Sequence, residues 1–187
     1  MEKHNIPVGI SDFEKIRNCE FYYIDKSGLI TEILKEKAEV TLITRPRRFG
    51  KTLGMSMLEN FFDIRKDSRK LFEGLEITKH QALCDEWMNQ YPTVFVSFRQ
   101  VDGLDFTGAY DMLTMVIANL YNKHLYLLDS KNATEFPKTA FAHLAHGTGS
   151  VLKQLSSAGS MTTRRNGIGM LCLMQSGMVT VKSLPKR

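Results

Sequence analysis

The spacing of apolar residues along the chain predicts helices alternating with strands. Apolar residues recur with helical period between residues 26 and 37, which indicates an amphipathic helix. Similar stripes predict further helices at residues 11–16, 53–65, 81–89, 106–124 and 139–145. Two short runs, 40–44 and 93–98, have the β-branched and aromatic composition of buried strands. This alternation predicts an α/β fold with a mostly parallel sheet flanked by helices.

Length and composition fit one globular domain. The chain has 187 residues, of which 43% are hydrophobic and 24% charged. The first residues contain no apolar run of signal-peptide length, and no later run is long enough to span a bilayer, so we expect a cytoplasmic protein without a membrane partner. Cys19, Cys84 and Cys172 lie far apart and form no C-x-x-C pair, which argues against a disulfide framework or a zinc site.

Charge is distributed unevenly along the chain. Residues 1–135 contain 18 Lys and Arg and all 20 Asp and Glu, whereas residues 136–187 contain 7 Lys and Arg and no acid. The last part of the chain also lacks hydrophobic periodicity. We therefore expect a folded body over residues 1–157 and a divergent, basic and poorly ordered tail over residues 158–187.

A Gly-Lys-Thr motif lies between the first predicted strand and the helix that follows it. Such a motif is typical of a phosphate-binding loop when a buried strand precedes it and a helix begins at it. Gly50 lets backbone N–H groups approach phosphate oxygens, Lys51 would reach the β- and γ-phosphates, and Thr52 would offer its hydroxyl to Mg²⁺. The motif therefore predicts a nucleotide site with Thr52 as the metal contact.

The loop departs from the common G-x-x-x-x-G-K-[ST] pattern because Arg45 stands at the first glycine. A lone Gly-Lys-Thr can also mark only a helix N-terminus with an exposed lysine. The flanking strand and helix favour the phosphate site over that interpretation. The expected nucleotide contacts are the loop residues Pro46, Arg47, Arg48, Phe49, Gly50, Lys51 and Thr52.

Four linked segments resemble the bacterial and archaeal predicted AAA-ATPase-like family, whose loop reads R-P-R-R-F-G-K-[ST]. They are Tyr-Ile-Asp-Lys-Ser at 23–27, Thr-Arg-Pro-Arg-Arg-Phe-Gly-Lys-Thr at 44–52, Leu-Phe-Glu-Gly-Leu at 71–75 and Pro-Thr-Val-Phe-Val-Ser-Phe at 92–98. The resemblance covers roughly residues 6–155. It implies a P-loop NTPase fold that binds ATP and Mg²⁺, and usually a restriction-nuclease-like domain further along a longer chain.

Two pairs of residues near the loop have more than one interpretation. Arg47 and Arg48 could contact phosphate or a partner subunit as transition-state arginines, or could be solvated charges that fix the loop. The resemblance allows Asp25 and Lys26 to lie near the nucleotide, while a helix cap at Asp25 is the simpler explanation.

The acids that hydrolysis requires are missing from the pattern. In this family they lie on a later apolar strand that ends in Asp-Glu, the Walker B acids. Here the strand 93–98 ends without an acid, Asp102 and Asp105 follow in a loop, and no acid occurs after Glu135. We therefore assign no catalytic residue and expect little or no ATPase activity. The resemblance suggests an N-terminal fragment, a truncated product with a frameshifted or otherwise unrelated tail. The alternative is a specialised short member of the family. The alternative function is a non-catalytic interaction module whose basic tail binds nucleic acid.

Overall fold

The computed structural model describes residues 5–36, 40–43, 49–98, 101–129, 142, 171–174 and 179–182. Contacts divide the chain into two units. The first contains residues 1–94 and 171–182, and the second contains residues 95–170 and 183–187. The predicted helix at 139–145 lies outside the described residues except for Ala142.

Helices dominate the first unit. Its α-helices, in chain order, are α1 (Phe13–Asn18), α2 (Gly28–Glu36), α3 (Lys51–Phe62), α4 (Arg69–Phe72) and α5 (Gln81–Trp87). A 3₁₀ helix, Glu76–Lys79, precedes α5. The described strands are β1 (Val40–Leu42), β2 (Thr93–Val96), β3 (Leu171–Met174) and β4 (Val179–Lys182). The predicted helices and the two predicted strands are therefore present wherever the structure describes them, with shifted ends.

The sheet differs from the one that the sequence predicts. Its strand order is β1-β4-β3-β2, and β4 pairs antiparallel with both β1 and β3. The predicted mostly parallel arrangement is not observed in these described pairings, because a hairpin lies between the two strands that were expected to share a parallel sheet. Strands joined by a four-residue connection pair antiparallel, since a parallel pairing needs a long crossover.

Strand β1 is an edge strand of this sheet, and it was predicted to be buried. Leu42 is 61% exposed and Thr41 is half-buried. A β-branched run indicates strand propensity, but exposure depends on the neighbours that the strand acquires.

The basic tail contributes both strands of the hairpin. The register pairs Thr41 with Thr180 and Leu173 with Thr180, so β4 has neighbours on both sides. No element was predicted here, because acid-free, Gly- and Met-rich sequence carries little periodicity. The boundary at residue 157 between a body and a poorly ordered tail stays a prediction.

Aromatic rings form the centre of the first unit's core. Phe13, Phe61 and Phe72 are fully buried, and the Phe72 ring centroid lies 4.9 Å from that of Phe13 and 5.4 Å from that of Phe61. These three rings belong to α1, α3 and α4, so one contact cluster holds three helices together. Arg17 reinforces it by donating to the carbonyl oxygens of Leu71 and Glu73 at 2.7 and 2.8 Å.

Asn89 organises the C-terminal end of α3. Its backbone is left-handed at φ 56°, its Nδ2 donates to the carbonyls of Asn60 and Asp63, and its Oδ1 accepts from the Ser68 N–H. These bonds satisfy carbonyls that a helix end leaves without partners. Nearby, Trp87 stacks on Tyr91 with ring centroids 5.0 Å apart, and the Tyr91 N–H donates to the Phe62 carbonyl.

The second unit contains α6 (Phe106–Lys123) and a 3₁₀ helix, Leu125–Asp129. Asp105 caps α6, because its side chain accepts a hydrogen bond from the Gly108 N–H at 2.7 Å. Ile117 and Tyr121 form a small core with four partly buried residues, Tyr110, Leu113, Leu127 and Leu128. In the part of the chain that the structure describes, no helix combines the length and apolar character needed to cross a membrane.

Candidate functional site

Helix α3 begins at the predicted phosphate loop. Gly50 occupies its N-cap position with left-handed backbone angles, φ 74° and ψ 26°, and Lys51 and Thr52 are the first two residues of the helix. The Gly50 carbonyl accepts the first helical hydrogen bond, from the Gly54 N–H at 2.9 Å. Helix α3 has twelve residues. Its N-terminus presents N–H groups and the positive end of the helix dipole, which together attract anions.

Part of the predicted loop lies outside the described residues. This is so for Pro46, Arg47 and Arg48, and the two interpretations of the arginines therefore stay open. Phe49 is described and 58% exposed. Gly50, Lys51 and Thr52 are half-buried at the start of α3.

Lys26 lies against the loop. Its Nζ is 3.4 Å from the Phe49 carbonyl oxygen, to which it donates, and a Cβ built on Gly50 would stand 3.2 Å from the same Nζ. An ammonium group has three donors, so this contact leaves capacity for a further acceptor. The structure therefore places a second lysine next to Gly50.

Asp25 has a structural role. Its Oδ1 accepts from the Ser27 N–H at 2.8 Å, and its Oδ2 accepts from the Glu76 N–H at 2.7 Å. Burial alone would raise the pKa of Asp25, but the hydrogen bonds from Ser27 and Glu76 favour the carboxylate and lower the pKa below its ordinary value. Ser27 adds a parallel connection, since its Oγ accepts from the Ile77 N–H at 3.1 Å. Asp25 therefore joins the start of α2 to the 3₁₀ helix.

Tyr23 fastens the same segment to α3. Its hydroxyl donates to Met57 Sδ at 3.3 Å, and its ring meets Phe13 edge-on at 5.4 Å. Burial raises the pKa of Tyr23 to about 12, because the charged phenolate would lose its hydration. The segment that carries Lys26 is thus attached to the helix that begins at Lys51.

A cavity of about 200 Å³ opens beside the start of α3. Its lining residues come from four parts of the first unit: Lys26, Gly28, Leu29, Glu32, Ile43, Phe49, Gly50, Lys51, Gly54 and Glu76. Sequence reasoning found the loop residues and considered Lys26, but it missed Glu32 and Glu76. Glu32 follows Gly28 by one helical turn, a spacing that places both on one face of α2. No local signal marks Glu76, because the Asp25 contact that positions it joins residues 51 apart.

Clusters of possible metal ligands are absent among the described residues. Among the residues that the structure describes, no group of three or more His, Cys, Asp or Glu is arranged to hold a metal ion. Asp105, one of the two acids after the second predicted strand, serves as the cap of α6.

Comparison with known proteins decides the family. The family model described as "Predicted AAA-ATPase" matches residues 7–164. The chain belongs to this AAA-ATPase family. Membership extends the resemblance found in the four sequence segments and indicates a P-loop NTPase fold.

One curated relative of this AAA-ATPase chain is an uncharacterized protein in the vnfD 5′ region of Azotobacter chroococcum mcd 1. The two are 33% identical over 99 residues, which is 52% of this chain and 18% of the relative. The chain therefore spans about a fifth of the length of that protein. No solved structure matches the chain.

Proposed function

We propose that this AAA-ATPase-family chain binds ATP through its phosphate loop, with little or no hydrolysis. The start of α3 carries the proposal, because Gly50 adopts a left-handed conformation directly before Lys51 and Thr52. That geometry directs helical N–H groups toward an anion and allows close approach without a side chain at residue 50.

The residues at this helix start fit the phosphates and the metal of Mg·ATP. Lys51 would bind the terminal phosphates, and Lys26 lies close enough to the loop to add a second positive charge. Thr52 would hold Mg²⁺ through its hydroxyl, while water and phosphate oxygens supply the other ligands. The metal supplies charge neutralisation of the triphosphate when it is bound. Pro46, Arg47, Arg48 and Phe49 complete the proposed loop contacts.

Weak hydrolysis follows from the acids that the sequence lacks at the usual place. A water molecule must be oriented and activated for attack on the γ-phosphate, and this normally requires a carboxylate or an amide close to that phosphate. The strand β2 and the residues after it provide none in the expected Asp-Glu pattern. The expected behaviour is nucleotide binding with phosphate release close to the uncatalysed background.

Removal of the loop lysine tests the proposal directly. Lys51→Ala is expected to weaken ATP binding by on the order of tenfold to a hundredfold, because a charge-assisted hydrogen bond to phosphate contributes about 1.5–3 kcal/mol. Titration calorimetry with and without Mg²⁺ measures the change, and Mg²⁺ should tighten binding to the unaltered chain. Lys35→Ala, which removes an exposed lysine near the end of α2, is the matched control. Equal ATP affinity in the Lys51 and Lys35 variants would contradict the phosphate site.

A further inference from the structure

The cavity beside α3 extends past the residues that a phosphate loop needs. The Lys26 ammonium lines one part of it, with Nζ 3.2 Å from the point where a Cβ on Gly50 would lie. The Glu76 carboxylate lines another part, with Oε2 3.1 Å from the point where a Cβ on Gly28 would lie. Leu29 and Ile43 add apolar surface to the lining. These surroundings match a ligand that has an anionic group, an apolar body and hydrogen-bond donors.

Gly54 is an unexplained glycine on the same lining. It lies inside α3, where alanine is the more favourable residue, and a Cβ placed on it would meet no described atom within 4 Å. Outside the helix's own backbone, no described neighbour therefore requires a glycine at this position. Gly50 and Gly54 are four residues apart and share one face of the helix, so both leave that face open to a close ligand.

The two glutamates offer acceptors to such a ligand. Within the described part of the chain, neither the Glu32 nor the Glu76 carboxylate has a hydrogen-bond or ion-pair partner. The backbone of Glu76 is held by the bond to Asp25 Oδ2, and Glu32 lies on helix α2. Carboxylates accept hydrogen bonds from hydroxyl and amino groups, which the ribose and the adenine base both carry.

Building on the proposed function, we infer that this cavity seats the nucleoside part of the bound nucleotide. Gly54 lets the nucleoside lie against α3, and Glu76, with Glu32, accepts hydrogen bonds from its hydroxyl and amino groups. The phosphates then occupy the start of α3, beside Lys26 and Lys51.

Binding of ATP compared with inorganic tripolyphosphate tests the inference, because only ATP has a nucleoside. Gly54→Ala fills the open position with a methyl group and is expected to weaken ATP binding about fivefold or more. The same change should leave tripolyphosphate affinity unaltered and raise the thermal unfolding midpoint, since alanine favours the helix. A loss of affinity in a more stable chain identifies a ligand contact rather than damage to the fold.

Glu76→Ala is expected to weaken ATP binding about threefold to tenfold through the lost acceptor. Tripolyphosphate should bind no more weakly than before, because removing a negative charge near phosphates does not disfavour them. Glu73→Ala is the matched control, since Glu73 is an exposed glutamate of the same region that does not line the cavity. Gly28→Ala gives a second route, because its Cβ would displace the Glu76 carboxylate from its 3.1 Å position.

The result that overturns the inference is an equal change, or no change, for ATP and tripolyphosphate in the Gly54 and Glu76 variants. A selective effect in Gly54→Ala alone overturns the role of Glu76. Failure of the proposed function has a different signature, because the unaltered chain would then bind neither ligand.

Discussion

Asp25 and Lys26 are adjacent in the sequence but have separate roles in the structure. The Asp25 carboxylate accepts backbone hydrogen bonds from Ser27 and Glu76, whereas the Lys26 ammonium reaches the Phe49 carbonyl of the loop. The sequence left open a helix cap at Asp25 or a position of both residues near the nucleotide. In the structure α2 begins three residues after Asp25, whose carboxylate connects Ser27 to Glu76, and Lys26 lies beside the loop. Two adjacent residues of the Tyr-Ile-Asp-Lys-Ser segment therefore have different tasks. Asp25 stabilises the fold, and Lys26 is a candidate ligand contact.

The pH dependence of stability provides a test at Asp25. Its folded-state pKa is lowered, so its contribution to stability is complete above the ordinary carboxyl pKa of about 3.9 and is lost as pH falls through the folded-state value. Asp25→Asn should lower the free energy of unfolding by about 1 kcal/mol at pH 7, because the amide has a single acceptor oxygen and its NH₂ group would face one of the two N–H donors. Urea unfolding from pH 7 down to pH 2 should show this difference shrinking. A difference that stays constant across that range would contradict the role of the charge.

At the scale of elements, the end of α3 shows what the sequence can and cannot predict. The apolar stripe predicts a helix over residues 53–65, and the Gly-Lys-Thr motif predicts that this helix begins at the loop. The helix does begin there, at Lys51. The helix ends earlier, at Phe62, because Asp63 forms a parallel bridge with Tyr91 and Asn89 bonds the last carbonyls. Those partners are 26 to 29 residues away, so no local pattern shows them.

Asn89 gives a prediction at this scale. Asn89→Gly keeps the left-handed backbone but loses three side-chain hydrogen bonds, and we expect it to lower the free energy of unfolding by about 2 kcal/mol. Asn89→Ala should cost about 1 kcal/mol more, since a Cβ is strained at φ 56°. Thermal and urea unfolding of both variants measure the order. If alanine proved more stable than glycine at this position, the backbone strain would play no part.

The candidate site was predictable to a similar extent. Gly50, Lys51 and Thr52 follow from a local motif in its strand-loop-helix setting. Glu76 does not, because it reaches the cavity through a contact with Asp25 that joins residues 51 apart. Glu32 belongs to α2, and its helical spacing from Gly28 does not by itself show that this face of α2 meets the loop. The order of strands in the sheet was equally inaccessible, since it depends on a hairpin in sequence without a clear period.

At the scale of the whole molecule, the basic tail has two competing descriptions. Composition predicts a poorly ordered appendage after residue 157, and the structure places Leu171–Met174 and Val179–Lys182 in the sheet. Strand β4 is the hydrogen-bonded neighbour of β1, the strand that leads to the phosphate loop. The stability of the body should therefore depend on the tail.

Deletion of residues 158–187 distinguishes the two descriptions. Loss of β3 and β4 leaves β1 and β2 without their paired neighbours, and we expect a clearly lower or non-cooperative thermal transition. A chain shortened only by residues 183–187 is the matched control, because it keeps all four strands. An unchanged midpoint after the larger deletion would instead favour the appendage. The same two chains test the alternative function, since nucleic-acid binding that survives the larger deletion does not come from the tail.

The stacked pair of Trp87 and Tyr91 has a practical consequence. Trp87 is the single tryptophan of the chain, and the Tyr91 backbone bonds the C-terminal end of α3, about 18 Å of helix away from the phosphate loop. The Trp87 emission therefore reports on the end of α3 that lies opposite the proposed phosphate site. Fluorescence that changes when ATP is added would show that occupancy is transmitted along α3. If the emission stays constant when ATP is added, it reports on unfolding alone, and the stability of each variant can be measured with ATP present or absent.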